Sequence, residues 1–441
     1  MQESELVRRS GYGVDSLGTR GTRTRDQILA EALAQFAARG FHQTSVHDIA
    51  AGVGISRAAL YQYFGSKDAL FIELLDECGA AVAALVRRFE PPTPTARGFR
   101  MLRDWLDDWA SVYDKYPTMF IEWSNINTPD DAVARSVGAY VTKLNSRLGA
   151  VLARAGVVGV DPVHASIVVT NVILRYNYLR HQPGAAALSD EHSYYLAVLL
   201  LQFLFPDAPG TATRPRPGEP PEWADQRVSG RPPARRRSAA PYCARFDGLS
   251  ARAAGTVREL MKSGLRVFAE KGYHRASVDE IVADADLTRG TFYKYFDEKR
   301  DLLVALSEEC SQDLAADARR FGRIDPAEDS GGRLRRWVRE SFVVYGQYRG
   351  IYRTWIDRSH MSPEINEMRS MVVDAMRRAL QLTLSRVTRS HALDLRVSHL
   401  FLVALIEEVP LGFKLNGLPV RQAPQTELLA VIIERSLFNR I

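Results

Sequence analysis

Apolar residues recur every three to four positions along most of the chain, the period of a helix with one face turned inward. Between 25 and 39 they fall at Ile28, Leu29, Ala32, Leu33 and Phe36, and Gly40 follows as a helix-ending glycine. Val46, Ile49 and Ala50 give the inward face of a short second helix. Ser56 stands as the N-cap of a short third helix, whose apolar side is Leu60 and Phe64. A longer fourth helix starts at Ser66 or Lys67 and carries Leu70, Phe71, Leu74 and Leu75 on one face. No stretch combines period-two alternation with hairpin turns, so the pattern predicts an all-α chain with negligible strand.

The pattern occurs twice. From Arg25 to Cys78, 18 of 54 positions are identical at a shift of 232, without a gap. Phe36, Gly40, His42, Ser45, Ile49, Arg57, Tyr61, Tyr63, Phe64 and Lys67 return as Phe268, Gly272, His274, Ser277, Ile281, Arg289, Tyr293, Tyr295, Phe296 and Lys299. The register holds further on, where Trp105, Tyr113 and Trp123 map onto Trp337, Tyr345 and Trp355. Each copy is too long for a solenoid unit, so the chain reads as two whole homologous proteins joined end to end.

Between them, 206–250 is rich in proline, with Arg235, Arg236 and Arg237 in a row and few apolar residues. Such a segment cannot bury enough surface to offset its ordering entropy and reads as a linker. The organisation expected is an N-terminal arm over 1–22, a first small helical domain over 23–85 and a helical domain over 86–205. After the linker come a second small domain over 251–317 and a second helical domain over 318–441.

Composition adds little. With 46% hydrophobic and 25% charged residues, the chain is not a wholly disordered one. A formal charge of +6 fits an acidic partner such as nucleic acid, and fits a plain basic surface equally well. The first twenty residues have no apolar run, and no run reaches the ~18 residues of a membrane span. The three cysteines (Cys78, Cys243 and Cys310) form neither a disulfide framework nor a C-x-x-C pair. The expectation is a cytoplasmic protein with no membrane association, no metal and no cofactor.

Two short helices joined by a tight turn fit a helix-turn-helix, whose second member presents its N-terminal side chains to the major groove. Residues 44–70, TSVHDIAAGVGISRAALYQYFGSKDAL, and 276–302, ASVDEIVADADLTRGTFYKYFDEKRDL, resemble the DNA-binding signature of the TetR/AcrR family. That resemblance implies two tandem units, each a helix-turn-helix domain plus a helical effector and dimerisation domain. Its implied DNA contacts in copy one are Thr44, Ser45, His47, Ser56, Arg57, Ala58, Ala59, Tyr61, Gln62, Tyr63 and Lys67. In copy two they are Ser277, Thr288, Arg289, Gly290, Thr291, Tyr293, Lys294, Tyr295 and Lys299. Arginine is the usual bidentate reader of guanine, and lysine supplies salt-dependent phosphate contacts. Tyr61 and Tyr293 face DNA or belong to the core. Arg20, Arg23 and Arg25 are minor-groove arms or a solvated tail.

Copy two departs from the pattern. Asp286 replaces the turn glycine that copy one keeps as Gly54, and aspartate tolerates a left-handed backbone. Asp279 and Glu280 put acid at the start of its second helix, while Lys294 makes its third helix the more basic. The two readers are therefore expected to prefer different bases, or one of them reads weakly.

In the C-terminal halves, Trp105, Trp109, Tyr113, Phe120 and Trp123, and then Trp337, Tyr345, Tyr352 and Trp355, lie at helical spacings. Such a stripe is core, or it lines the effector cavity that the resemblance implies, with Arg175, His181, Glu407 or Glu408 as polar anchors. The partners expected are a double-stranded DNA operator and an apolar or aromatic small-molecule effector. Pairing is expected within the chain as a pseudo-dimer, with a homodimer of chains as the alternative. No G-x-S-x-G, H-E-x-x-H or Walker A motif occurs, so no enzyme is expected. The rival reading is a ligand-binding or protein-interaction module whose DNA readers have degenerated.

Overall fold

A computed structural model of the chain describes residues 18–41, 43–123, 132–181, 191–206, 242–329, 331–356, 362–387, 393–418 and 422–438. Among them there is no strand. The chain divides into two compact units.

The first unit takes in residues 1–88 and 108–131. Helix α1 (Thr19–Arg39) packs on α2 (Val46–Val53), which leads into α3 (Arg57–Tyr63) and the long α4 (Lys67–Arg88). The predicted apolar faces meet here: Ile28, Phe36, Ile49, Leu60, Phe64, Leu70 and Leu74 are all buried. Arg25 pairs with Glu73, and its guanidinium lies 4.9 Å over the Phe64 ring. The unit also holds the end of α5 (Ala96–Lys115) and α6 (Pro117–Trp123). Helix α1 begins at Thr19, inside the stretch read from sequence as an arm, because the helical backbone runs on through the polar residues ahead of the first buried one.

The second unit comprises residues 89–107 and 132–441. From copy one it contains α7 (Ala132–Ala155), α8 (Pro162–Arg180) and α9 (His192–Leu204). From copy two it contains α10 (Ala251–Arg275), α11 (Val278–Asp284), α12 (Arg289–Tyr293), α13 (Lys299–Phe321) and α14 (Gly332–Gln347). These are followed by α15 (Arg349–Ile356), α16 (Pro363–Leu384), α17 (Leu395–Leu415) and α18 (Gln422–Ser436).

The core of copy two's small domain repeats that of copy one through Phe268, Ile281, Phe292, Phe296, Leu302 and Leu306. At the positions of Arg25 and Glu73, however, stand the buried pair Val257 and Ala305. One copy fills the site with an ion pair and the other with apolar side chains, two solutions of comparable stability. The last part of the proline-rich segment is structured. Residues Tyr242–Phe246 form a 3-10 turn, the Cys243 amide donates to Glu308 (2.8 Å), and the Phe246 ring packs on Phe296 with centroids 5.5 Å apart. Residues 207–241, the rest of the predicted linker, lie outside the described residues.

Helix α8 is buried on nearly every side, with Ser166, Thr170, Arg175 and Asn177 buried beside its apolar residues. Asp161 caps it by accepting from the Val163 and His164 amides (both 2.9 Å). Within this unit α8 packs on α17, and α9 packs on α17 and α18. Val168, Val172, Leu199 and Phe203 are buried on one side; Leu402, Leu405, Ile432 and Ile433 are buried on the other. Polar contacts join the same helices. Arg435 donates to the carbonyls of Val158 (2.7 Å) and Phe203 (3.1 Å), and the Ser436 hydroxyl donates to that of Leu199 (2.9 Å).

Candidate nucleic-acid interface

Each short helix pair is built by its caps. The Ser45 hydroxyl accepts from the Asp48 amide (3.1 Å) while Asp48 accepts from the Ser45 amide (3.2 Å), a capping box that fixes the start of α2. The Ser45 hydroxyl, which also donates to the Asp48 carboxylate (2.6 Å), and then the Ser45 amide hold the Asp48 carboxyl below its ordinary value. Ser277 and Glu280 repeat the box on α11, and Lys271 together with the Ser277 bonds draws Glu280 down to about 2. The turn then reverses through a left-handed residue. Gly54 sits at φ 75°, and Asp286 takes the same place at φ 54°, as the aspartate replacement predicts. The closing bonds correspond: the Ile55 amide donates to Ala50 (3.0 Å) and the Leu287 amide to Val282 (2.8 Å). Ser56 and Thr288 cap the third helices, accepting from the amides of Ala59 (3.1 Å) and Thr291 (3.3 Å). Both helices are short, Arg57–Tyr63 ending just after its buried anchor Leu60 and Arg289–Tyr293 at the residue after Phe292.

On α3, Arg57, Ala58, Tyr61 and Gln62 are exposed, and Ala59 and Tyr63 are partly so. On and just after α12, Arg289, Gly290, Tyr293 and Lys294 are exposed, and Thr291 and Tyr295 are partly so. Ser45, His47, Ser56, Ser277 and Thr288 are exposed at the helix starts. Thr44 is buried instead, its hydroxyl donating to the Gly40 carbonyl (2.8 Å). Tyr61 and Tyr293, for which sequence left core and surface open, are 38% and 46% exposed.

The arginines differ between copies. The Arg57 guanidinium donates to the Tyr61 hydroxyl one turn along its own helix (3.2 Å). Arg289 makes the equivalent contact with Tyr293 (3.4 Å) and also an ion pair with Asp279 (3.3 Å), where copy one has His47. Tyr293 first, and Asp279 after it, raise the Arg289 pKa above its ordinary value.

The lysines occupy an unexpected position. Lys67 Nζ donates to the carbonyls of Phe41 (2.8 Å) and Thr44 (3.0 Å) and lies 4.3 Å over the Phe41 ring. Lys299 Nζ donates to Tyr273 and Ala276 (both 2.7 Å) and to His274 (3.5 Å), 4.4 Å over the Tyr273 ring. Both ammonium groups thus close the segment leaving the first helix. The recurrence of an aromatic residue 26 positions before each lysine was the available sign in the sequence.

The aromatic stripe is packed. Trp105 lies against Phe89 (4.2 Å), Tyr113 stacks on Phe120 (4.9 Å), and Trp109 is buried. The Trp123 side chain lies outside the described residues. In copy two, Trp337 Nε1 donates to the Asp317 carbonyl (3.1 Å) and Trp355 Nε1 to the Ser307 hydroxyl (3.1 Å). Tyr345 stacks on Tyr352 (5.1 Å), and burial raises the pKa of both phenols. Arg175 and Glu407, separate candidates for ligand anchors, form a buried ion pair with each other. Cys78 is also buried, its thiol pushed up to about 12 by loss of water.

Two short, capped helices with a left-handed turn and a polar, exposed third helix define a DNA-binding helix-turn-helix, present here twice. Residues 28–74 and 260–306 both match the family described as bacterial regulatory proteins, tetR family. Both halves of the chain thus carry the DNA-binding domain of the TetR family, in tandem. It is 29% identical over 97 residues to the uncharacterised HTH-type transcriptional regulator YvdT of Bacillus subtilis, covering 22% of this chain and 49% of that one. It is 47% identical over 51 residues to the HTH-type transcriptional repressor KstR2 of Mycobacterium tuberculosis, covering 12% and 26%. The alignments thus span about half, or less, of these relatives' length. Among solved structures, a HlyIIR mutant protein aligns with 40% of this chain and 95% of its own, at 17% identity and a TM-score of 0.30. No described helix is long and apolar enough to cross a membrane.

Proposed function

We propose that the chain is a ligand-responsive repressor that reads an asymmetric operator with two unlike helix-turn-helix domains, paired within one chain as a pseudo-dimer. The observation that carries this reading is the pair of exposed third-helix faces. Arg57, Ala58, Ala59 and Gln62 face solvent or its edge in copy one; Arg289, Gly290, Thr291 and Lys294 do so in copy two. Side chains at these positions meet base edges in a helix-turn-helix complex, so unlike sets select unlike half-sites. Repression is supported by the name of the KstR2 relative. Response to an apolar or aromatic effector rests on the likeness to the TetR family. Pairing within the chain is supported by the packing of α8 and α9 on α17 and α18.

Selection of bound sequences from a random duplex pool, followed by footprinting at fixed salt, tests the proposal. Two protected half-sites of different sequence, with one chain bound, are expected. A perfect palindrome, or a single protected half-site, contradicts it. The Asp279–Arg289 pair favours one variant of the reading, in which the second domain reads more weakly than the first.

A further inference from the structure

Arg175 and Glu407 lie one position from equivalence, since Asp161 and Asp394, which cap α8 and α17, are related by a shift of 233, as are segments 196–205 and 429–438, and this matches Arg175 with Glu408. They also touch each other, with side chains 7% and 10% exposed. Helices α8 and α17 cross antiparallel at this point. Asn171, one turn before Arg175, abuts Gly412, which lies beyond Glu407. Further out, the His164 ring meets Phe413 at 5.0 Å. In an antiparallel crossing with two-fold symmetry, one position alone meets its own counterpart, the one on the axis. Here the axis falls beside Arg175 of one copy and the adjacent Glu407 and Glu408 of the other, so opposite charges from the two copies meet there. Burial works against the Arg175 charge, and the pull of Glu407, then of Glu408 at 3.7 Å, overcomes it.

Copy one paired with itself would set Arg175 against Arg175 in the dry centre of the interface. Copy two paired with itself would set Glu407 and Glu408 against their own counterparts. Both leave buried charge without compensation, whereas the mixed pairing cancels it.

We propose that the Arg175–Glu407 pair is a self-exclusion device on the pseudo-two-fold axis, restricting each copy to pair with the other kind and barring pairing with itself. This deepens the pseudo-dimer reading and rests on it for pairing in cis. Full-length Arg175→Glu and Glu407→Arg are each expected to lower the melting temperature by roughly 6–20 °C, and the double exchange to recover most of that loss. Singles that melt with the wild type, or an exchange that loses the sum of both, would overturn the proposal. Where a charge reversal does not fold, Arg175→Met, Glu407→Met and their double form the same cycle. There the double is expected to be more stable than either single, and additive losses overturn the proposal.

Mixing the two reversal variants reads partner choice directly, because complementary charges then exist only between chains. Two-chain particles are expected to rise at least about tenfold over either variant alone at the same total concentration, and an unchanged yield refutes self-exclusion. A two-chain mass for the wild type would sink pairing in cis while leaving the stability cycle to decide the charge pair.

Discussion

Replacing Lys299 by methionine separates two roles that the sequence alone cannot. The substitution keeps the apolar stem and removes the ammonium. That group has three donors, and in the structure three carbonyls receive them: Tyr273, Ala276 and, more distantly, His274. Hydrogen bonds from a charged donor contribute about 1.5–3 kcal/mol each when buried, and this site is only half-buried, so the pair of short bonds is worth about 2–3 kcal/mol. The Tyr273 ring 4.4 Å below adds about 0.5–1 kcal/mol. The expected loss is therefore about 2–4 kcal/mol, confined to the second DNA-binding domain. Hydrogen exchange of the full-length protein should show it as faster opening of α11 and α12. Affinity for DNA should keep the same dependence on salt, because no phosphate contact has been removed. A phosphate-binding lysine behaves in the opposite way: removing it flattens the slope of log K against log salt by about 0.9 and leaves exchange unaltered. That second pattern would refute the structural role drawn from the carbonyl contacts.

Three further outcomes are expected. Arg57→Ala and Arg289→Ala should each cost about 1–3 kcal/mol at a selected operator and relax preference at one base position, as read by competition binding; equal affinity for all three proteins would remove these residues from base reading. Asp279→Ala should free Arg289 and take a negative charge away from the phosphates, so affinity at the second half-site should rise in a titration at low salt, and a fall would show that the ion pair orients the arginine productively. His399 is buried and its pKa is lowered to about 4, chiefly by burial and further by Arg377. Its neutral form is favoured by folding, so stability present above the unfolded value of about 6.5 is lost as pH falls towards 4, by about 3 kcal/mol in all. His399→Asn should lack that part of the acid limb in urea titrations at pH 7.5 and 5, and parallel curves for the two proteins would contradict it.

Much of the fold is legible in the sequence because the helix-turn-helix obeys local rules. Ser45, Ser56, Ser277 and Thr288 cap the helices that their spacing predicts, and Asp286 adopts the left-handed backbone that its side chain permits. Burial of Phe36, Leu60 and their counterparts follows from periodicity. What periodicity cannot supply is partner choice between distant residues. Lys67 and Lys299 look like any solvent-facing cations until the chain end of the first helix is folded beneath them. Arg289 is an unencumbered reader in sequence and an ion-paired one in space, since Asp279 sits ten residues away on another helix. Arg175 and Glu407 lie 232 positions apart, and only packing of α8 on α17 brings them together.

On the proposed function, the unlike third helices would give the protein a direction. A reader made of two identical subunits, seated on its palindrome, presents the same face upstream and downstream. With Arg57, Ala58 and Gln62 on one reader and Arg289, Gly290 and Lys294 on the other, turning the site around would no longer be a symmetry operation for a chain bound through both. Every chain bound through both readers would lie the same way round, with its first copy towards one flank of the site and its second towards the other. Inverting the operator between two divergent promoters would then exchange which of them faces the first copy, an asymmetry that a homodimer on a palindrome cannot express.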